Sequence, residues 1–522
     1  MRRARSTILP ILISCVAASL LLLSCSSAPH PEPGTVTFLI ESMPANLDPR
    51  VGTDAQSQDI DGLLFNSLVS LDAKINIQPD LAKSWEEPDP LTWVFHLRTG
   101  VRFHDGRPLT SADVKFTFDS IMGNVPSGAP APLISAKRGT FTKVSSIAAL
   151  DPETIVFHLS EPDSSFPWKL VRPSIGIVPI GAPTDFGQHP VGTGPFRFVS
   201  ASEDDEVVLE RNPDYFGNVT KISQVRFRVV PDAIVRALEL RKGTADLELT
   251  SLSPDMIPVL ARQPGIAVED QPGTHYTYIE FNFDDPAVAH REVRQALACA
   301  TDREEIVRYL LRGQARLADG PLPPESWAYA PDIARYPYDP ARAEKLLDAA
   351  GFPRRPELGG MRLRLTLKTS TDDSTRLYTS VLREQWKKVG VDLEVHPLEF
   401  GTFYGDISRG SFEMFTLRAV GSNVDPDFFA LVFGSDKLPP FGFNRGHYRN
   451  PQLDALLAQA RREQNPQQQK LIFAQVQKLV AEDVPYISLW FNDNICVHRT
   501  RITNVQLSPA GDFDFLNSIE AN

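Results

Sequence analysis

From Ser374 to Val389 apolar residues recur at helical spacing, the pattern stops at Gly390, and Val391, Leu393 and Val395 then alternate with Asp392 and Glu394. A switch from period 3.6 to period two across one glycine is a helix-to-strand unit, and such units build α/β lobes. The pattern recurs near the C-terminus, where a helix over about 466–482 runs into the apolar stretch Tyr486–Trp490. Asp339-Pro340 reads as cap and first residue of another helix, with Ala343, Leu346, Leu347 and Ala350 on its buried face and Gly351 as its stop. Thr301-Asp302-Arg303-Glu304 has the form of a capping box, so a helix is expected to start on Thr301 and end at Gly313. Period-two runs at Trp93–Leu97 and Ile155–Leu159 predict strands, with turn chemistry at Asp151-Pro152-Glu153 between them, and Val36–Ile40 predicts a strand that opens the fold.

A chain of 522 residues exceeds what one hydrophobic core supports, so at least two lobes are expected. Arg2, Arg3 and Arg5 precede an apolar run from Ile8 to Leu23, too short and poorly flanked for a durable membrane span, and residues 1–24 read as a signal peptide. Leu22-Leu23-Ser24-Cys25 resembles the bacterial lipobox, which makes Cys25 the lipidation site; the alternative is a cleaved secretory peptide with an incidental cysteine. Proline-rich residues 25–35 then form a tether between lipid and fold. Beyond the leader and a lipidated Cys25 only Cys299 and Cys496 remain as thiols, enough for one disulfide and no framework. The formal charge of −12 becomes more negative once the arginine-bearing leader is removed, which argues against a nucleic-acid partner. His-Glu-x-x-His, Cys-x-x-Cys and Gly-x-Ser-x-Gly do not occur, so no enzyme, metal or cofactor is expected, and an envelope hydrolase, the lesser alternative, would need a nucleophile and base that the sequence does not display. Gly192-Thr193-Gly194-Pro195 lacks the Gly-Lys-Ser/Thr of a phosphate loop and reads as a turn, as does His104-Asp105-Gly106.

Several segments, in order, carry a resemblance: Asn46-Leu47-Asp48-Pro49; Pro79-Asp80-Leu81-Ala82-Lys83-Ser84-Trp85; Val101 to Thr110 with Asp113-Val114; and Pro190 to Phe196. They continue with Asn212 to Phe216, Phe281-Asn282, Arg294 to Leu297, Asp302-Arg303, and Tyr338-Asp339-Pro340 through Gly351. Together they resemble the bacterial extracellular solute-binding proteins of family 5, which include dipeptide-, oligopeptide- and nickel-binding proteins of ABC importers. The resemblance implies a periplasmic-binding-protein-like α/β fold of class II type with a hinged ligand cleft. Its first lobe would span 36–281 with a subdomain inserted at about 60–180, its second 282–492, and 493–522 would return to the first. It also implies a monomeric, non-enzymatic lipoprotein at the periplasm or cell surface that passes a peptide or small solute to ABC permease subunits.

In peptide-binding members of that family an aspartate a few residues before an acidic-Pro pair holds the ligand's amino group. Here Ser422 takes that place, three residues before Asp425-Pro426. A hydroxyl cannot replace the charge-assisted bond to an ammonium. Opine-like compounds, oligosaccharides and metal chelates therefore stand beside peptides as ligands, and Asp425 reads as a turn residue. Arg418 is suited to a ligand carboxylate, or else pairs with a neighbouring acid. Gly421 lies on the same loop; Tyr276 and Tyr278 share a face that lines the cleft or packs a sheet; Asn282 and Trp490 sit near the expected crossings, Trp490 either stacking on ligand or filling a core. Tyr278, Asn282, Arg418, Gly421, Ser422 and Trp490 are the expected ligand contacts.

Overall fold

The computed structural model describes residues 34–522 except 73–74, 125–132, 172–174, 203–204, 420–424 and 440–441. The signal peptide, Cys25 and most of the tether lie outside the described residues. One eleven-stranded sheet runs through both lobes. From its second-lobe edge the order is Val391–Leu398, Leu363–Ser370, Met414–Ala419, Ile266–Phe281, Tyr486–Arg499, Leu247–Leu249, Thr35–Ile40, Gln224–Val229, Glu206–Arg211 and Phe196–Ala201, with Ala315–Leu317 paired to Tyr486–Arg499.

Helices cover this sheet in two places, as its alternating apolar residues require. In the first lobe Val36, Phe38 and Ile40 pack with Leu63, Leu64 and the C-terminal Phe513, Phe515 and Leu516, while Leu39, Leu240, Ile495 and Val497 form a core on the opposite face. In the second lobe helices Arg291–Cys299, Pro340–Ala349 and Asp373–Lys388 bury Val293, Leu297, Leu347, Leu382 and Trp386 on one face. Phe428–Phe433, Pro451–Arg462 and Pro466–Asp483 cover the other. A separate four-stranded antiparallel sheet, Ala82–Asp89, Thr92–Leu97, Thr154–Leu159 and Val144–Asp151, packs on helix Ser111–Met122 around its own core of Phe95, Phe118, Phe141 and Phe157.

The strands Ile266–Phe281 and Tyr486–Arg499 are the two connections between lobes within the sheet. Their ladder runs from Ile266–Arg499 to Gln271–Asn494, is interrupted, and resumes from His275–Asn492 to Glu280–Tyr486 with a one-residue register shift between Thr277 and Tyr278. At the interruption Gly273 lies so close to the other strand that a Cβ would fall 2.2 Å from the Asn492 carbonyl oxygen, so only glycine fits. Past this break Tyr276, Tyr278, Ile279 and Phe281 pack into the two second-lobe cores.

The caps largely follow the sequence. The Asp339 side chain accepts from the Arg342 amide, Pro340 is the first helical residue, and Gly351 has φ +86°. The box on Thr301 is a correction. Asp302 is the cap, accepting from the Glu305 amide at 2.9 Å, while the Thr301 hydroxyl donates to Leu297 O and accepts from Trp386 Nε1. Burial beside Trp386 gave Thr301 a tertiary partner in place of the local one. The helix continues as a π turn, Ile306–Leu310, before Gly313. Cys299 and Cys496 are both free and buried in different lobes, so the pair does not form a disulfide.

The motif segments of the first lobe interlock. His104 Nδ1 accepts from the Gly192 amide at 3.2 Å, and its Nε2 lies 3.1 Å from Gly194 O. This arrangement requires the neutral Nε2–H tautomer. Asn212 Nδ2 donates to the same Gly194 carbonyl, and the Thr193 hydroxyl donates to Asn66 Oδ1. Burial pushes the His104 imidazole down to about 4, against the raising effect of the Gly194 bond. Because the folded-state value lies below the unfolded value near 6.5, the unfolded chain binds the extra proton between these limits. The stabilisation is therefore complete above about pH 6.5 and is lost as pH falls towards 4, on the order of 3 kcal/mol in total. His104→Gln is expected to flatten the change in urea midpoint between pH 7 and 4.5 relative to the parent; equal slopes would remove His104 as a source of acid sensitivity.

Candidate functional site

Strand direction determines where the crevice lies. Leu363–Ser370 is parallel to both Val391–Leu398 and Met414–Ala419, so all three carboxyl ends emerge on one edge of the second lobe. Met414–Ala419 runs antiparallel to Ile266–Phe281 and ends with Ala419 opposite Tyr276, so that edge faces the interruption in the ladder. In the first lobe Thr35–Ile40 is parallel to Gln224–Val229 and Leu247–Leu249. Leu247–Leu249 runs antiparallel to Tyr486–Arg499, with Leu249 opposite Cys496, so its carboxyl end also points to the interruption. Two carboxyl edges thus confront each other across a two-strand hinge. In open α/β sheets such edges are where ligands bind, because loops there are free to vary while the strands hold them in place.

Arg418 stands on the second-lobe edge with an exposed side chain, and among the described residues no carboxylate pairs with it. Thr277 is its cross-strand neighbour. His275, one turn of the pleat away, is held neutral, pushed down to about 3 by burial and then by the Arg418 charge. The adjacent strand end delivers Phe400, which is 55% exposed and stacked on Tyr404 at 5.9 Å. On the first-lobe edge Arg236 gathers three chain ends by donating to the carbonyls of Val230, Pro231 and Ser251. Thr250 beside it has φ +54°, a conformation a β-branched residue adopts only when its surroundings impose it. Its hydroxyl accepts from the Ile495 amide, which ties the edge to the crossing strand.

Of the six expected contacts, the described structure brings one, Arg418, to the crevice. Tyr278 is enclosed between Tyr276 and Tyr486, with ring centroids 5.3 and 4.4 Å away, and its face packs the sheet. Trp490 is a core residue set edge-on to Tyr378 at 5.2 Å. Asn282 is committed to a turn: its Nδ2 donates to Gly410 O and Phe412 O, and its Oδ1 accepts from the Asp284 amide. Gly421 and Ser422 lie outside the described residues. Asp425 accepts from the Asp427 amide at 2.9 Å, as a turn residue does, and its carboxyl is pushed up to about 8 by burial and by Asp427. Phe400, Arg236 and Thr250 were not anticipated. For Phe400 the available signal was an aromatic at a strand-to-helix junction; for the other two, placement depends on contacts distant in sequence.

Among the described residues no group of three or more His, Cys, Asp or Glu side chains is arranged to hold a metal ion, and no helix is long and apolar enough to cross a membrane.

The family model for bacterial extracellular solute-binding proteins, family 5 (middle), matches residues 76–438. Di/tripeptide-binding protein 1 of Pseudomonas aeruginosa is 26% identical over 97% of each chain. Heme-binding protein A of Haemophilus influenzae is 28% identical over 96% of this chain and 97% of its own. Among solved structures, the ABC transporter-associated periplasmic binding protein DppA of Helicobacter pylori, in complex with the peptide STSA, superposes with a TM-score of 0.80 at 25% identity, covering 94% of this chain and 98% of that one. With a two-lobed sheet, facing carboxyl edges and a match over most of its length, the chain belongs to the bacterial extracellular solute-binding proteins of family 5.

Proposed function

We propose that this chain is the substrate-binding lipoprotein of an ABC importer, which captures a peptide or related small solute between its lobes and presents it to the permease. The observation that carries the reading is the pair of carboxyl edges facing each other across the interrupted ladder. A solute that touches both edges gains its full contact only when the lobes are closed, so capture selects the closed form. In this reading Cys25 carries the lipid, residues 25–35 hold the body off the membrane, the two crossings lie at the interruption, and the protein acts as a monomer without chemistry of its own.

A second reading, a non-peptide solute such as an opine-like compound, an oligosaccharide or a metal chelate, is favoured by two residues. Ser422 stands where an amino-holding carboxylate is expected, and Arg418 offers a cation at the edge. Both fit a ligand recognised through an anionic group. Mass spectrometry of compounds retained by the purified protein, followed by thermal-shift confirmation, separates the readings, because a bound solute raises stability by mass action. Free-amine peptides in the extract support the first reading and their absence beside another compound the second; an extract empty under all purification conditions counts against both. For a carboxylate-bearing compound, Arg418→Ala is expected to weaken affinity by roughly tenfold or more, about 1.4 kcal/mol. Unchanged affinity by calorimetry would exclude Arg418 from the contact.

A further inference from the structure

The helix Pro451–Arg462 in the second lobe ends where the first-lobe subdomain begins. The last carbonyls of any helix lack intrahelical donors. Here the Arg461 carbonyl accepts from the backbone amide of Ser164 at 3.1 Å, and the Ala460 carbonyl accepts from the Ser164 hydroxyl at 3.3 Å. Gln469, on the next second-lobe helix, donates both to the Ser164 hydroxyl at 2.8 Å and to Ala460 O at 3.0 Å. A helix of one lobe is therefore capped by a residue of the other.

Charges surround this cap. Asp427 holds Arg461 through two bonds of 2.8 and 3.0 Å. From the first lobe the Lys169 ammonium, bonded to the buried Asp163, approaches Asp427 at 3.9 Å. A cation at the C-terminal end of a helix is also favoured by the helix dipole. Gln464 adds a further contact to Glu87 at 3.3 Å.

We infer that Ser164 and Lys169 are affinity-determining positioning residues: they form a clasp that holds the lobes closed. The consequence for solute binding rests on the reading of the crevice proposed above, whereas the clasp itself is measurable without solute. Opening replaces the cross-lobe bonds with water, so the clasp shifts the closed-to-open ratio moderately without locking it. Loss of the clasp lowers apparent affinity by the fraction of closed form lost.

The test places spin labels at the exposed positions Leu150 and Leu471 through Leu150→Cys and Leu471→Cys and reads inter-lobe distances in purified protein freed of solute by dialysis. At 0.05 M NaCl the shorter distance is expected to dominate. Lys169→Met is expected to lower the closed-to-open ratio about tenfold, and 1 M NaCl to lower it in the parent more than in the variant. Because Lys169→Met also leaves Asp163 without its ammonium, a fall in melting temperature transfers the test to Ser164→Ala combined with Gln469→Ala, which remove only neutral bonds, the two made by the Ser164 hydroxyl across the lobes among them, and are expected to shift the same ratio. An open parent, or one distance distribution shared by parent and variants, overturns the clasp. Neither outcome bears on whether a solute is retained, so failure here is distinct from failure of the binding function.

Discussion

Arg294→Met is expected to lower the stability of the second lobe by about 3–5 kcal/mol, read as a fall in the urea midpoint. Arg294 is buried, and its guanidinium donates to four carbonyl groups: Asp483 and Val484 through Nε, Val288 and Ala289 through Nη1, and Asp483 again through Nη2. Phe283 lies 4.3 Å below the guanidinium. The side chain thereby closes the C-terminal end of helix Pro466–Asp483 just before the chain enters the second crossing strand. Burial lowers its affinity for the proton to about 10, still charged at neutral pH. Methionine fills much of the volume but leaves these acceptors without donors in a site that excludes water, and each unsatisfied group costs about 1–3 kcal/mol. Lysine is expected to recover only part of the loss, since a point ammonium cannot span a forked set of acceptors. An unaltered midpoint for Arg294→Met would show that water reaches those carbonyls.

Gly192→Ala is expected to do comparable damage in the first lobe, by intrusion of one methyl group. A Cβ at this position would lie 1.9 Å from the Leu64 carbonyl oxygen and 2.7 Å from the Phe65 ring. Neither neighbour yields easily: the Leu64 carbonyl also accepts from the Gly194 amide at the end of helix Ala55–Leu64, and Phe65 lies in the first-lobe core. Overpacking ordinarily costs about 1–3 kcal/mol, and a collision with backbone lies at or above the top of that range. The same shift would dislodge His104, whose ring is held by the Gly192 amide. The expected result is a lower urea midpoint with diminished acid sensitivity from His104. A variant as stable as the parent would mean that the turn can move as a unit.

These residues also show what the chain reveals before folding and what it does not. Local signals were legible: Asp339-Pro340, the stop at Gly390 and the alternation in Thr92–Leu97 each act through neighbours a few residues away, and each appears as expected. The motif segments were legible as a set, which was enough to anticipate two lobes. Their individual roles were not, because His104, Gly192 and Asn212 meet only after distant strands pair. Tyr278 and Trp490 have the composition of ligand-stacking residues, yet alternation cannot tell a face that meets a helix from one that meets a crevice. Thr301 offered a local cap and was drawn instead to Trp386. The crevice itself follows from strand direction, which no short window of sequence encodes.

The single sheet that threads both lobes has a mechanical consequence. Two adjacent hydrogen-bonded ribbons resist shear and stretching along their length, but they bend where their rungs are missing, and here the rungs fail between Gln271 and His275. Bending there turns one half against the other without unpacking either, so differences in solute girth are absorbed by the angle of the turn and not by remaking the cores.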